Sequence, residues 1–240
     1  MTADLQSVSG KRIWSIVKRG KPLVLNAFDG LIAAFDGDLA KRIFDILFSL
    51  AVLILFFPVY VLLAVLIAFS SSGPIFYAQE RVGKNFKRFR CFKFRTMVVN
   101  ADEVLLDMMQ TSPHLRQEFE SNFKLKYDPR ITWIGRILRI TSLDEFPQFW
   151  NVLMGDMSVV GPRPLVVEEL HKYGSTIDTV LTIRPGITGL WQVSGRNDIP
   201  YPQRVRIDVY YANFRHFWMD LWIIIKTIGV VLFPKNNGAY

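Results

Sequence analysis

The chain has 240 residues, half of them hydrophobic, and 29 Lys and Arg against 21 Asp and Glu leave a net charge of +8. That length suits one domain with an appendage, and a single cysteine, Cys91, excludes an internal disulfide and a Cys-rich zinc site. A greasy, basic chain points to a membrane surface, anionic lipids or phosphorylated substrates, while charge alone also admits nucleic acid.

The first 40 residues carry a basic start (Lys11, Arg12, Lys18, Arg19, Lys21) and a weakly apolar stretch over 23–35. They are expected to lie near a membrane. From Ile46 to Gln79 no residue is charged, which exceeds the roughly 20 apolar residues that cross a bilayer. Pro58 near its centre predicts a kink. Both flanks are basic, with Lys41 and Arg42 before the run and Arg81, Lys84, Lys87, Arg88, Arg90, Lys93 and Arg95 after it. A spanning helix concentrates Lys and Arg on one side, so symmetric flanks suit a helix that enters, bends and leaves by the same face. The residues alone leave both readings open.

After a Gly-Pro turn at 73–74, "RCFKFRT" (90–96) alternates and predicts a short strand, with Phe92 and Phe94 on one face and Cys91, Lys93 and Arg95 on the other. The basic run reads equally as a solvated or lipid-facing surface, a substrate site, or a stacking surface for nucleic acid. Residues 98–126 predict polar helix. Over 128–145 the pattern predicts a loop, a helix with Arg136 and Arg139 on one face, and a second helix start. The C-terminal "FRHFWMDLWIIIKTIGVVLF" (214–233) places Trp218 and Trp222 at i, i+4, which suits an interfacial helix or a buried one.

In "TSLDEFPQFWNVL" (141–153) two carboxylates, Asp144 and Glu145, stand side by side. Ser142 to Glu145 fits a capping box, with Asp144 favouring the helix dipole, although Pro147 would then fall at the fifth helical position and lose a hydrogen bond. Adjacent helical residues point about 100° apart, so the two acids can also do different jobs. Downstream, "GPRP" presents Arg163 between two prolines, and "RPGITGLWQVSGRND" adds Arg184 and Arg196 in glycine-containing turns. Arginine forks bind phosphate oxygens, and glycines let backbone approach an anion. Together these are the equipment of magnesium-assisted phosphoryl transfer.

The strings "KRIFDILFSL", "FKFRTM", "TSLDEFPQFWNVLMGDMSVVGPRP", "RPGITGLWQVSGRND" and "DVYY", in this order, resemble the bacterial sugar transferase family, the monotopic polyprenyl-phosphate phosphoglycosyl transferases, over about residues 41–240. The resemblance implies transfer of a sugar 1-phosphate from a UDP-sugar to undecaprenyl phosphate with release of UMP. It implies that Asp144 is nucleophile and magnesium ligand, that Glu145 is its partner, and that an aspartyl-phosphosugar adduct forms first. The family's basic positions at the phosphate site match Arg163 and Arg196, with Arg139, Lys93, Arg95 and Thr96 as further substrate-binding positions. Its re-entrant helix breaks near a proline, matching Pro58. The C-terminal "NNGAY" resembles hexose-1-phosphate transferases and hints at glucose or galactose.

The implied architecture is α/β and mostly helical. It comprises an N-terminal extension (1–40), a re-entrant membrane helix (41–72), and a cytosolic catalytic domain with short strands (73–240) ending in the interfacial helix. The expected setting is the cytoplasmic face of a bacterial inner membrane, in the compact form of the family. The expected cofactor is Mg2+, and the partners are the UDP-sugar, undecaprenyl phosphate and membrane lipids. Nucleic acid is not among them, and a homo-oligomer is compatible with this reading. The rival readings are a basic membrane adaptor and an inactive scaffold of a glycan-assembly complex.

Overall fold

The computed structural model describes residues 37–122, 125, 128–195 and 198–232, so residues 1–36 of the expected N-terminal extension, and Arg196, lie outside the described residues. The uncharged run folds as two helices, α1 (Asp38–Leu55) and α2 (Phe57–Ser70), bent by 62°. The break falls at Phe56, two residues ahead of the expected position, and Pro58 sits in the first turn of α2. The reason is local: the proline ring would collide with the carbonyl of Ile54 if one helix continued, whereas a first turn needs no N–H from Pro58. No single described helix is long and apolar enough to cross a membrane, and the bent pair together meets that requirement by length and composition only.

Each helix of the pair is two-faced. Phe44, Phe48 and Val52 of α1, and Leu63 and Ile67 of α2, pack into the body of the protein. Leu39, Ile43, Leu47, Leu50 and Ile54, then Phe57, Val61, Leu62, Val65 and Phe69, stay exposed. Polar groups moor both ends. At the start of α1, Lys41 Nζ lies 2.6 Å from Asp220, Arg42 donates to the carbonyls of Val152 and Leu153, and buried Asp45 accepts from the Val159 N–H. At the end of α2, Arg95 donates to the carbonyls of Ile67 and Ser71, which supplies acceptor-rich helix-terminal carbonyls with a cation. Lys41 and Arg42 are therefore internal ties rather than a basic flank facing lipid.

The chain continues into an antiparallel hairpin, β1 (Phe76–Val82) and β2 (Arg88–Phe94), in the register Tyr77↔Lys93 and Gln79↔Cys91. The alternation predicted for β2 is present, but its Cys91 face points inward. Phe89 and Cys91 are buried in the main core, and Phe94 is buried against α2. The expected basic surface is largely consumed by internal partners. Arg81 is buried and donates to the Pro164 carbonyl, Lys87 pairs with Asp156, Arg88 with Glu80, and Lys93 with Glu145.

Helices α3 (Ala101–Thr111) and α4 (Pro113–Asn122) fill the predicted polar region. Helix α5 (Trp133–Thr141), capped by the Thr132 hydroxyl, lies against the strand exit at Thr96. Gly135 makes that approach feasible, because a Cβ there would meet the Thr96 carbonyl oxygen at 2.0 Å. Arg136, expected to share a face with Arg139, is exposed while Arg139 is half-buried. Helix α6 (Gln148–Met154) then leads to β3 (Ser158–Val160), which pairs in parallel with β4 (Gly186–Thr188). Between them a 3-10 segment (Val167–Thr176) and α7 (Ile177–Val180) form a smaller cluster around Leu165 and Tyr173. Helices α8 (Leu190–Ser194), α9 (Tyr201–Phe214) and α10 (Phe217–Leu232) complete the described chain. Tyr211 of α9 bonds to Asp220 of α10 and to the Val160 carbonyl, so the "DVYY" string is a structural rivet. The last helix combines the two readings offered for it: Ile223 and Ile224 are buried, while Trp218 and Trp222 share an exposed face.

Candidate active site

The acid pair does not cap a helix. Ser142 adopts a left-handed conformation (φ 58°) at the end of α5 and makes no side-chain cap. Leu143–Glu145 form a 3-10 turn, and α6 begins only at Gln148, with Pro147 as its N-cap. A non-glycine residue at positive φ is uncommon. Here it reverses the chain sharply and presents both carboxylates beside β2. Phe146 follows at once and wedges into the helix bend, with its ring against Phe56 and Tyr60 and its carbonyl accepting from the Tyr60 hydroxyl. The acid turn is thus fixed to the inside of the break.

Lys93, on the inward face of β2, lies 2.7 Å from Glu145 and 3.8 Å from Asp144. Burial pushes the Asp144 carboxyl up to about 6, the Lys93 charge opposes this, and the Glu145 charge adds to it. Arg139 of α5 is near enough for its charge to act on Asp144, and its Nε donates to the Thr96 hydroxyl at 3.0 Å. Thr96 therefore positions an arginine rather than facing the cavity.

A cavity beside the pair is lined by Arg81, Lys93, Glu145, Gln148, Arg163 and Gln192, with Cys91, Pro164 and Ile187 completing the wall. Arg163 is carried on the turn after β3. That turn is closed by Gly161 N–H bonding to Thr188 and Gly186 N–H bonding to the Pro162 carbonyl. Behind it Asp208 is fully buried and accepts from the Tyr173 hydroxyl at 2.8 Å. Burial raises its carboxyl to about 7, against the pull of that bond and of Arg163. Two buried polar atoms at this cavity, Arg81 Nε and Gln192 Oε1, have no partner among the described residues. Such groups are costly unless something pairs with them, and they are the donor and acceptor a bound polar molecule would meet. Cys91 is not reactive machinery, since burial pushes its thiol up to about 11.

Of the residues singled out in the sequence, the fold gathers Asp144, Glu145, Lys93, Arg139, Thr96 and Arg163 around one place. Arg95 is not there, being spent on the end of α2. Arg184 is not there either, since its Nε bonds to the Gly155 carbonyl in a different pocket. Gln148 and Gln192 escaped the sequence reading, and Arg81 stood in it only as one member of a basic run with three open readings. Gln148 lies three residues after Glu145 and Gln192 inside the "GLWQV" string, but neither residue type announces a site. As a metal site the pair offers two hard carboxylate oxygen donors, and no group of three acidic, His or Cys ligands exists among the described residues. That set fits Mg2+, which is held by one or two carboxylates together with substrate phosphates and water.

The bacterial sugar transferase profile matches residues 37–234. The chain is 47% identical over 209 residues to the UDP-galactose-lipid carrier transferase of Erwinia amylovora, covering 87% of this chain and 43% of that protein. It is 49% identical over 200 residues to the undecaprenyl-phosphate galactose phosphotransferase of Salmonella typhimurium, covering 83% and 41%. The exopolysaccharide production protein ExoY of Rhizobium meliloti is 45% identical over 201 residues, covering 84% of this chain and 89% of its own length. The chain thus spans less than half the length of the first two relatives, and the family match over residues 37–234 takes in the bent helix pair, the acid turn and the Arg163 turn. On this match the chain belongs to the bacterial sugar transferase family.

Proposed function

We propose that the protein transfers hexose 1-phosphate, from UDP-galactose or UDP-glucose, to undecaprenyl phosphate at the cytoplasmic face of a bacterial inner membrane. The product begins a surface glycan such as an exopolysaccharide. The observation that carries this is the acid turn wedged into the helix bend beside a cavity that also holds Lys93, Arg81 and Arg163. Both ends of the bent pair are tied to one body, which supports a re-entrant insertion over a span, because a span would carry one end away across the bilayer. The exposed apolar faces of α1 and α2 and the Trp218–Trp222 face of α10 suit lipid and its interface. The relatives' names supply the sugar classes and the lipid acceptor.

In this mechanism an Asp144 oxygen attacks the β-phosphorus of the UDP-sugar. A carboxylate–phosphorus bond forms, the phosphorus–oxygen bond to the α-phosphate breaks, and UMP leaves with the bonding pair. The phosphate oxygen of undecaprenyl phosphate then attacks the same phosphorus. This frees Asp144 and yields the diphosphate-linked sugar. Lys93 holds Glu145 and screens the pair, so that Asp144 ionises beside a second acid. Arg163 and Arg81 offset the diphosphate charge, and Arg196 of the "GRN" string, which lies outside the described residues, is assigned to the same task. Asp144 and Glu145 would hold Mg2+, which neutralises phosphate charge when bound. The acceptor chemistry explains the location: the lipid tail stays in the membrane while its phosphate meets a water-borne nucleotide sugar.

The test is UMP release by purified protein with Mg2+, undecaprenyl phosphate and a panel of UDP-sugars, comparing wild type with Asp144→Asn. Lipid-dependent release from UDP-galactose or UDP-glucose, abolished in the variant, is expected. Release that needs no lipid, or that survives in Asp144→Asn, would overturn the reading.

A further inference from the structure

Gln192, on α8, is held so that one of its polar atoms is left over. Its Nε2 donates to the Ile187 carbonyl at 3.4 Å. A carbonyl only accepts, so this contact identifies the free end of the amide as Oε1. Gly189 makes room for that oxygen, since a Cβ there would lie 2.9 Å from it. Oε1 is buried with no partner among the described residues. Arg81 of β1 repeats the situation from the donor side. Its terminal nitrogens are in use: Nη1 donates to the Pro164 carbonyl at 3.1 Å and lies 3.9 Å from Glu169, and Nη2 donates to the Gln79 side chain at 2.6 Å. Its Nε is a buried donor with no partner among the described residues. Both side chains line the cavity that Lys93 and Glu145 also line.

Substrate chemistry decides what meets Gln192. An amide oxygen only accepts, so its partner must carry an O–H or N–H. The ionised diphosphate of a UDP-sugar and the phosphate of the lipid acceptor offer no donor. That leaves the hexose hydroxyls, the ribose hydroxyls and the uracil N–H. The hexose is joined through a single oxygen to the phosphorus that Asp144 attacks, whereas ribose and uracil lie beyond a second phosphate. A cavity walled by Glu145 and by Lys93, itself 3.8 Å from Asp144, therefore receives the hexose. A hydroxyl both accepts and donates, which matches Arg81 Nε and Gln192 Oε1 together. We propose that Gln192, with Arg81 Nε in the same cavity, reads a hydroxyl of the hexose and is a specificity-determining residue for the donor sugar. The proposal rests on the transferase reading above. A donor sugar lacking that hydroxyl leaves a buried acceptor unpaired, which is how a polar site rejects a close analogue.

The test is kcat/KM for lipid-dependent UMP release in wild type and Gln192→Leu. The donors are the better of UDP-galactose and UDP-glucose, and its analogues deoxygenated at C2, C3, C4 or C6 of the hexose. Wild type is expected to lose about tenfold or more on one analogue. In Gln192→Leu the same analogue should match its parent within about twofold, because the acceptor it offended is gone. The other analogues should lose equally in both enzymes. Gln192→Met, which keeps the length and removes the acceptor, should behave as Gln192→Leu does, and a melting curve for each variant shows that it is folded. Equal losses on every analogue in wild type and both variants would overturn the proposal. So would a loss on the 3-N-methyluracil analogue of the donor that the variants abolish, which would assign Gln192 to the base. No UMP release by wild type from any UDP-hexose would sink the transferase reading instead. Calorimetric binding of UDP-hexose and of UDP then decides the subsite. Weaker UDP-hexose binding in Gln192→Leu with unchanged UDP binding supports it, and equal binding of both ligands in the two proteins overturns it.

Discussion

Asp144 occupies a place where its own charge is unfavourable. Its carboxyl is raised to about 6 by burial, so above that pH the folded protein carries the cost of an ionised buried acid. Asp144→Asn is therefore expected to abolish UMP release while raising Tm by a few degrees at pH 8, a trade of stability for chemistry. A fall in Tm would mean that the charge is matched better than the burial suggests. Gln192→Leu removes a buried acceptor with no partner among the described residues. The expected outcome is an unchanged or higher Tm and a KM for the UDP-sugar raised about tenfold, the size of one lost hydrogen bond to a buried group. Asp208 gives a pH signature. Its folded pKa, up to about 7, exceeds the ordinary carboxylate value. Its contribution is thus present in acid and lost as pH rises through 7, with a slope of at most about 1.4 kcal/mol per pH unit. Wild type should melt lower at pH 8 than at pH 6, and Asp208→Asn, which still accepts from Tyr173, should flatten that difference. At this scale the sequence revealed the acids and Arg163, because charged residues in ordered strings carry chemical meaning. It could not reveal Gln192, nor single out Arg81 from its basic run, because their places come from burial that only the packed body creates.

The bend between α1 and α2 is an element-scale device. Proline forbids one continuous helix, but the angle is held by what fills the wedge. Phe146 touches Phe56, Tyr60 and Phe149 there. Phe146→Ala is expected to cost about 3 kcal/mol, the low end for loss of a packed aromatic ring, and to lower UMP release by displacing the adjacent acid turn. Tyr60→Phe keeps the ring and should lose only about 1 kcal/mol. Equal activity in wild type and Phe146→Ala, with the expected loss of stability, would show that the turn does not depend on the wedge. The hydrophobic run and its proline made this break legible in sequence to within two residues. The 3-10 turn was not legible, because Ser142-x-x-Glu145 is a sound capping pattern locally. Packing of Phe146 into the bend, and Pro147 ahead of α6, override that local preference.

At the scale of the molecule, the proposed membrane setting raises the question of whether the bent pair would span a bilayer or re-enter it. Lys41, Arg42 and Asp45 bind the start of α1 to α6, β3 and α10, and Arg95 binds the end of α2 to the exit of β2. Lys41–Asp220 is a largely buried ion pair, whose loss of one partner costs about 3–5 kcal/mol, and the Arg42 and Arg95 bonds to carbonyls contribute about 1.5–3 kcal/mol each. Neither end can therefore leave the body without a large penalty. A span would require that departure, whereas a re-entrant insertion does not. The prediction is that Gly37→Cys and Ser72→Cys, both at exposed positions flanking the pair, react with a membrane-impermeant maleimide from the same side. Labelling should occur in inverted inner-membrane vesicles and not in intact cells with a permeabilised outer membrane. The native Cys91 should leave the background low, being buried with its thiol raised to about 11. Opposite labelling of the two positions would establish a span. It would also require the ties at one end to be broken in the membrane.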